Sequence, residues 1–189
     1  MLDTIKTHSY HDTLALISYH NTFTDTTIRN LRKVLYEPFV DPQLIVDGNK
    51  IQTNDSIAYK NSINAARTIT PSLNLTLDAQ GTSGNGSVTL KIVNVDSLLA
   101  LDSVYALIAV CQDSVDGVLK DFNYVCRYLF SYPISVPYAD SIDTTITFTN
   151  AFPVEKLHAV AFIQNLKSSD IHFLKVYQAV TVPFSSTQP

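Results

Sequence analysis

The sequence predicts an α+β chain in two parts. Residues 1–68 read as an α/β module, and residues 69–189 as an all-β sandwich of about seven antiparallel strands. Three observations predict this. Apolar residues before Arg67 recur at helical spacing between short apolar runs, whereas after it they alternate with period two. Two helix-start signals fall in the first part and none in the second. Turn residues punctuate the second part between one apolar run and the next.

Residues 1–8 place Leu2 and Ile5 at helical spacing and read as the last turns of a helix. Residues 14–17, Leu-Ala-Leu-Ile, read as a short buried strand. Thr24 or Asp25 offers a cap oxygen to a helix whose Ile28, Leu31, Val34 and Leu35 form one stripe, with Arg29, Arg32 and Lys33 toward solvent. Glu37-Pro38 ends that helix, because the residue before a proline is pushed out of the helical region. The stretch FVDPQLIVDGNK then carries a strand over residues 43–46, entered through Asp41-Pro42 and left through Asp47-Gly48. Asp-Gly between extended segments signals a two-residue hairpin, since both central residues of a type I′ turn need positive φ. Residues 50–52 form the return strand, and Ser56 caps a second helix that packs through Ile57, Ile63 and Ala66.

Beyond RTITP the alternation begins. Leu73, Leu75 and Leu77 alternate with Asn74, Thr76 and Asp78, and Val88, Leu90 and Ile92 with Thr89 and Lys91. Residues 104–111 are a nearly continuous apolar strand, residues 122–130 alternate less cleanly, and residues 145–148, 157–164 and 173–182 complete the set. Pro133, Pro137, Pro153 and Pro183 fall between or beyond the strands, as a sheet requires.

The order of the first part, with a proline ahead of its middle strand, resembles the latter part of a thioredoxin-like fold. That resemblance implies a cis bond before Pro42. The family's first strand and its CxxC-bearing helix start have no counterpart here. The expectation is an incomplete sheet: either residues 14–17 and 43–46 pair directly, or the start is truncated, or a strand or terminal segment of a neighbouring copy fills the gap.

Taken together, SYH after the early strand, V-x-P-x-x-x-V-D-G in the middle, then NYVCRYLF and AFIQN, resemble the Omp28-related outer membrane protein family. The resemblance implies an exported, cell-surface or secreted bacterial protein, outer-membrane-associated, with no known catalytic mechanism. The functional expectation is a non-catalytic protein of interaction or assembly, a homo-oligomer or filament-type homopolymer joined through strand edges. Two alternatives stand beside it. One is a thiol-disulfide oxidoreductase relative whose redox motif lies upstream of Met1; the other is a ligand- or metal-binding surface receptor.

Formal charge is −4, and no Lys/Arg stripe occurs, which argues against nucleic-acid binding. No apolar run approaches the roughly 20 residues that span a bilayer. Residues 1–12 are polar and show no export leader, so an exported protein would carry its leader outside this sequence. Charged residues are only 16%, a texture suited to β structure with neutral polar faces.

The chemistry-bearing residues are few. Cys111 and Cys126 face each other if the loop between their strands centres on Val118 and Leu119. They read either as a cross-strand disulfide or as two buried thiols. His8, His11 and His20, with Asp12, are the candidate metal ligands, but nothing supplies an ordered third ligand, and surface histidines are the simpler reading. Asp113, Asp116 and Asp121 lack calcium-loop spacing. Asn54, Asn74 and Asn85 begin N-x-S/T sequons that matter only in a glycosylating pathway. Tyr105, Tyr124, Tyr128 and Tyr177 suit an interface or cross-strand packing equally. No catalytic residue and no cofactor are expected.

Overall fold

A computed structural model describes residues 14–37, 44–51, 55–99, 101, 104–117 and 121–187. In chain order these form α1 (Thr26–Leu35), β1 (Leu44–Val46), β2 (Asn49–Ile51), α2 (Ser56–Arg67), β3 (Leu73–Gly81), β4 (Asn85–Asn94), β5 (Val104–Gln112), β6 (Val125–Ile134), β7 (Ser141–Thr149), β8 (Leu157–Asn165), β9 (Val176–Pro183) and β10 (Ser185–Ser186). Two four-stranded sheets, ordered β10-β3-β4-β7 and β6-β5-β8-β9, form a sandwich. Because successive side chains of a strand alternate faces, Leu73, Leu90 and Ile92 of one sheet meet Ile108, Val110 and Ile163 of the other in a single core. The alternation read from residue 72 onward therefore marks real inner faces. β10 adds a strand the sequence does not announce: two residues lying parallel to the end of β3 are too short to show a period.

The thioredoxin-like module is not found. Residues 14–17 form no strand; next to them, Ser18 makes an isolated bridge to Val125 of β6. β1 and β2 pair with each other as a two-stranded hairpin and, among the described residues, join no larger sheet. The α/β expectation fails because the apolar residues of the early segment have another place to go. Ala15, Ile17, Tyr19 and Ile28 pack on the outward side of the second sheet, against Leu107, Ala109, Val160 and Phe162. Leu14 instead joins Leu44, Val46 and Ile51 around Tyr59 and Ile63 of α2. The central strands β5 and β8 are consequently covered on both faces, which is why β5 reads as a nearly continuous apolar run. Pro42 lies outside the described residues.

Local signals fare better. Asp47 and Gly48 both have positive φ, 47° and 87°, as the Asp-Gly hairpin requires. Asp25 caps α1, its Oδ1 accepting from Thr27 N at 2.8 Å. α2 is capped by Asp55, one residue before the Ser56 expected, with Oδ1 accepting from Ile57 N at 3.1 Å. The face of α1 is also corrected: Leu31 and Val34 are exposed, while Arg32, expected in solvent, is only 8% exposed. In α2, Ile63 is buried but Ile57 is exposed.

Candidate functional site

The chemistry-bearing side chains gather on the outward face of the second sheet, beneath the segment that precedes α1. Cys111 of β5 stands opposite Cys126 of β6. On the other side of β5, Cys111 is also opposite His158 of β8. Residues directly opposite in antiparallel strands share a face, so Cys126, Cys111 and His158 form one row across three strands. The two cysteines are fully buried and His158 is 8% exposed. No disulfide joins Cys111 and Cys126 in this structure. The Cys126 Sγ donates weakly to Tyr128 O at 3.4 Å.

A register shift explains the poor alternation of residues 122–130. Val110 pairs with Tyr128 and Cys111 with Cys126, leaving Arg127 as the extra residue of a bulge. Arg127 uses that position to hold the covering segment: Nη1 donates to Phe23 O at 2.6 Å, Nε to Gln112 Oε1 at 2.9 Å. Desolvation lowers its pKa.

At the end of the row, His158 Nδ1 lies 3.4 Å from Asp113 Oδ2. Neither ring nitrogen of His158 has a hydrogen-bond partner among the described residues. Asp113 Oδ1 accepts from Tyr124 N at 2.8 Å, and the Tyr124 ring meets the His158 ring edge-on at 5.4 Å. Ser114 and Tyr124 both take positive φ, 52° and 60°, where the loop between β5 and β6 turns these groups inward.

Above the row sit Tyr19 and Arg32. The Tyr19 hydroxyl is buried without a hydrogen-bond partner among the described residues. Burial raises its pKa well above the usual phenol value; nearby Arg32 opposes this, and the Cys126 and Cys111 thiols add to it. Arg32 Nη1 donates to Gln164 Oε1 at 3.0 Å, and its guanidinium lies 5.4 Å from the Tyr36 ring centre and 5.6 Å from that of Phe162. Gln164 Nε2 completes the group by donating to Tyr36 OH at 2.8 Å. Sequence reasoning missed His158, Arg32 and Gln164. Only the NYVCRYLF and AFIQN stretches hinted at them, and nothing in those stretches shows that they share a face with α1.

Of the candidate metal ligands, only His20 lies among the described residues. His8 and His11 lie outside the described residues. His20 Nδ1 accepts from Thr22 N at 3.1 Å, and its ring stacks on Phe23 at 4.8 Å and meets Phe122 at 4.3 Å. Burial lowers its pKa. Among the described residues no group of three or more His, Cys, Asp or Glu side chains is placed to hold a metal ion. Tyr128 packs with Phe130, Phe148 and Phe152 at the rim of the core, its hydroxyl donating to Thr149 O at 2.9 Å. A polar depression of about 480 Å³ lies over the β3–β4 turn, between Asn85, Ser87 and Thr147.

The other sheet presents a different outer surface. Rows such as Thr76–Lys91–Asp143 and Asp78–Thr89–Thr145 run across β3, β4 and β7. Thr89 and Thr145 hydrogen-bond side chain to side chain at 2.9 Å. β7 forms the edge, and its outer side pairs with no strand among the described residues.

Comparison with known proteins places this geometry as follows. No protein-family model matches the chain, and no curated protein matches it. Among solved structures, it is similar to a domain of the outer membrane lipoprotein Omp28 from Porphyromonas gingivalis. The likeness has a TM-score of 0.46 and 17% identity, and covers 64% of this chain and 93% of that one. It is also similar to the C-terminal domain of wzt, with a TM-score of 0.40 and 10% identity over 63% of this chain and 77% of that one. A third likeness is to a β-glucosidase from Kluyveromyces marxianus, with a TM-score of 0.34 and 6% identity over 59% of this chain and 14% of that one. Among the described residues no helix is long and apolar enough to cross a membrane.

Proposed function

We propose that this chain is a non-catalytic, exported interaction protein of the cell envelope or surface, which assembles with copies of itself through the edge of its first sheet. The observation that carries the assembly is β7. It is nine residues long, SIDTTITFT, and pairs along its whole length with β4 without a register shift. It contains one charged residue and no proline. Proteins ordinarily blunt such an edge with charge, proline or a bulge, because its unpaired N–H and C=O groups template another strand. β7 keeps none of those guards beyond Asp143, so an added strand can complete its ladder. Pairing of β7 with its own copy closes a two-fold dimer, whereas pairing with a different edge propagates a filament. The export reading rests on the motif resemblance and on the low-charge, Thr-rich polar face of β3, β4 and β7.

Sedimentation velocity across a concentration series tests the assembly. Wild-type protein should associate, and the double variant Thr145→Lys/Thr147→Lys should stay monomeric with unchanged circular dichroism. A wild-type protein monomeric at all concentrations would sink the reading. Protease shaving of intact source cells tests the location, with the chain expected to be cleaved before a cytoplasmic marker.

A further inference from the structure

We propose that Cys111 and Cys126 are a thiol pair built to close into a cross-strand disulfide beneath the segment before α1, with His158 as the proton acceptor for Cys111. The inference does not depend on the exported location, although an oxidising compartment would hold the bond closed.

The backbone pattern decides whether the pair can bridge. Cys126 N donates to Ser18 O at 2.9 Å, and Ser18 N donates to Tyr124 O at 2.7 Å. Those bonds lie on the side of β6 away from β5, so the Cys126 N–H, and by strand geometry its C=O, points away from Cys111. On the facing strand, Asp113 N donates to Lys156 O at 2.8 Å, toward β8. Cys111, two residues earlier, faces β8 as well, because N–H direction alternates along a strand. Cys111 and Cys126 are therefore a non-hydrogen-bonded pair. Regular pairs of this kind hold their Cα atoms about 4.5 Å apart, inside the range of about 4.4–6.8 Å that a disulfide spans, and the bulge at Arg127 lies beside this one. A hydrogen-bonded pair would hold them about 5.5 Å apart with the side chains farther from each other.

The surroundings supply the rest of the chemistry. A thiolate is the nucleophile in exchange, so a group must take the thiol proton. His158 is the direct neighbour of Cys111 on β8, buried, with both ring nitrogens unpartnered among the described residues and the Asp113 carboxylate at 3.4 Å from Nδ1. That carboxylate is placed to orient the ring. The step balances with a small-molecule disulfide, R–S–S–R, as oxidant. His158 takes the proton of Cys111; the thiolate attacks one sulfur and releases R–S⁻; the Cys126 thiol, losing its own proton to solvent, displaces the second R–S⁻. The chain loses two hydrogens and two R–SH are formed.

Access is gated by the cover. Ser18 holds to β6 by the two hydrogen bonds above, while Ile17, Tyr19 and Ile28 lie over the thiols. Reaction in the folded chain requires that segment to lift.

The test is equilibration of the full chain in glutathione buffers spanning reduced to oxidised, acid quenching, and intact-mass and peptide analysis. The expected result is loss of two hydrogens with a Cys111–Cys126 linked peptide, abolished by Cys111→Ser or Cys126→Ser. Reduction should lower Tm by roughly 6–12 °C, from the loop the bond closes. His158→Gln should slow closure about 10-fold or more near neutral pH and flatten its pH profile, leaving the final oxidised fraction unchanged. Ile17→Glu, which loosens the cover, should speed closure. Stable glutathione adducts on either cysteine, or two intact thiols at the oxidising limit in both wild type and Ile17→Glu, would overturn the bond. A wild-type rate in His158→Gln would remove the assigned role of His158.

Discussion

Arg32 is buried where its helix pattern put it in water, and its surroundings explain why it stays. The aliphatic stem crosses apolar surface while the guanidinium lies near the rings of Tyr19, Tyr36 and Phe162 and donates to Gln164 Oε1. Arg32→Met keeps most of the stem volume but leaves the Gln164 carbonyl unsatisfied. A loss of about 1–3 kcal/mol in urea unfolding is expected; a neutral result would mean Gln164 finds another donor. Asp47 carries the opposite lesson. Burial of its carboxyl raises its pKa from 3.8. The folded chain then binds more protons than the unfolded one above that value, so this group's contribution falls as pH rises through the raised pKa. Asp47→Asn removes that dependence and keeps the turn, since Asn-Gly suits the same geometry. Its Tm should equal or exceed wild type at about pH 7, with the difference vanishing near about pH 3; a wild type more stable at neutral pH would contradict the sign.

At the scale of elements, the β1–β2 hairpin shows local chemistry and tertiary contact acting on one residue. Gly48 has φ of +87°, and a Cβ there would come within 1.8 Å of Leu174 O, in the loop between β8 and β9. Val176 N also donates to Asp47 O at 3.2 Å. The turn thus docks on the sandwich through backbone. Gly48→Ala adds left-handed strain to a backbone clash, and a loss of well over about 1 kcal/mol is expected in chemical unfolding. The positive φ was legible from Asp-Gly; the clash was not, because Leu174 is far away in the chain. The cysteine pairing was legible only as a conditional on loop centre. The bulge at Arg127 shows how easily one inserted residue would have turned either cysteine to the other face.

For the whole molecule, the question is how far the segment before β3 and the sandwich depend on each other. The sandwich core draws on residues from Leu73 onward; among the described residues the early segment packs on the outward face of the second sheet and docks its β1–β2 turn on the β8–β9 loop. Ile17→Glu/Ile28→Glu places two charges in that contact. The expected outcome is loss of protection in residues 14–37 by hydrogen exchange, retained protection in β5 and β8, and new binding of a hydrophobic dye to the uncovered Leu107, Val160 and Phe162. Global unfolding instead would show that the cover belongs to the cooperative core.

What the sequence determined by itself was what has a short period or a local turn: the alternation of β3 and β4, the nearly continuous run of β5, the presence of both helices, and the Asp-Gly turn. These depend on neighbours within a few residues, whose preferences are written side by side in the chain. Only the tertiary structure decided where Ala15, Ile17 and Ile28 bury themselves, and with that choice the expected α/β module disappeared. Strand-like composition in residues 14–17 says that apolar surface must be covered, not by which partner; here the back of a distant sheet covers Ala15 and Ile17.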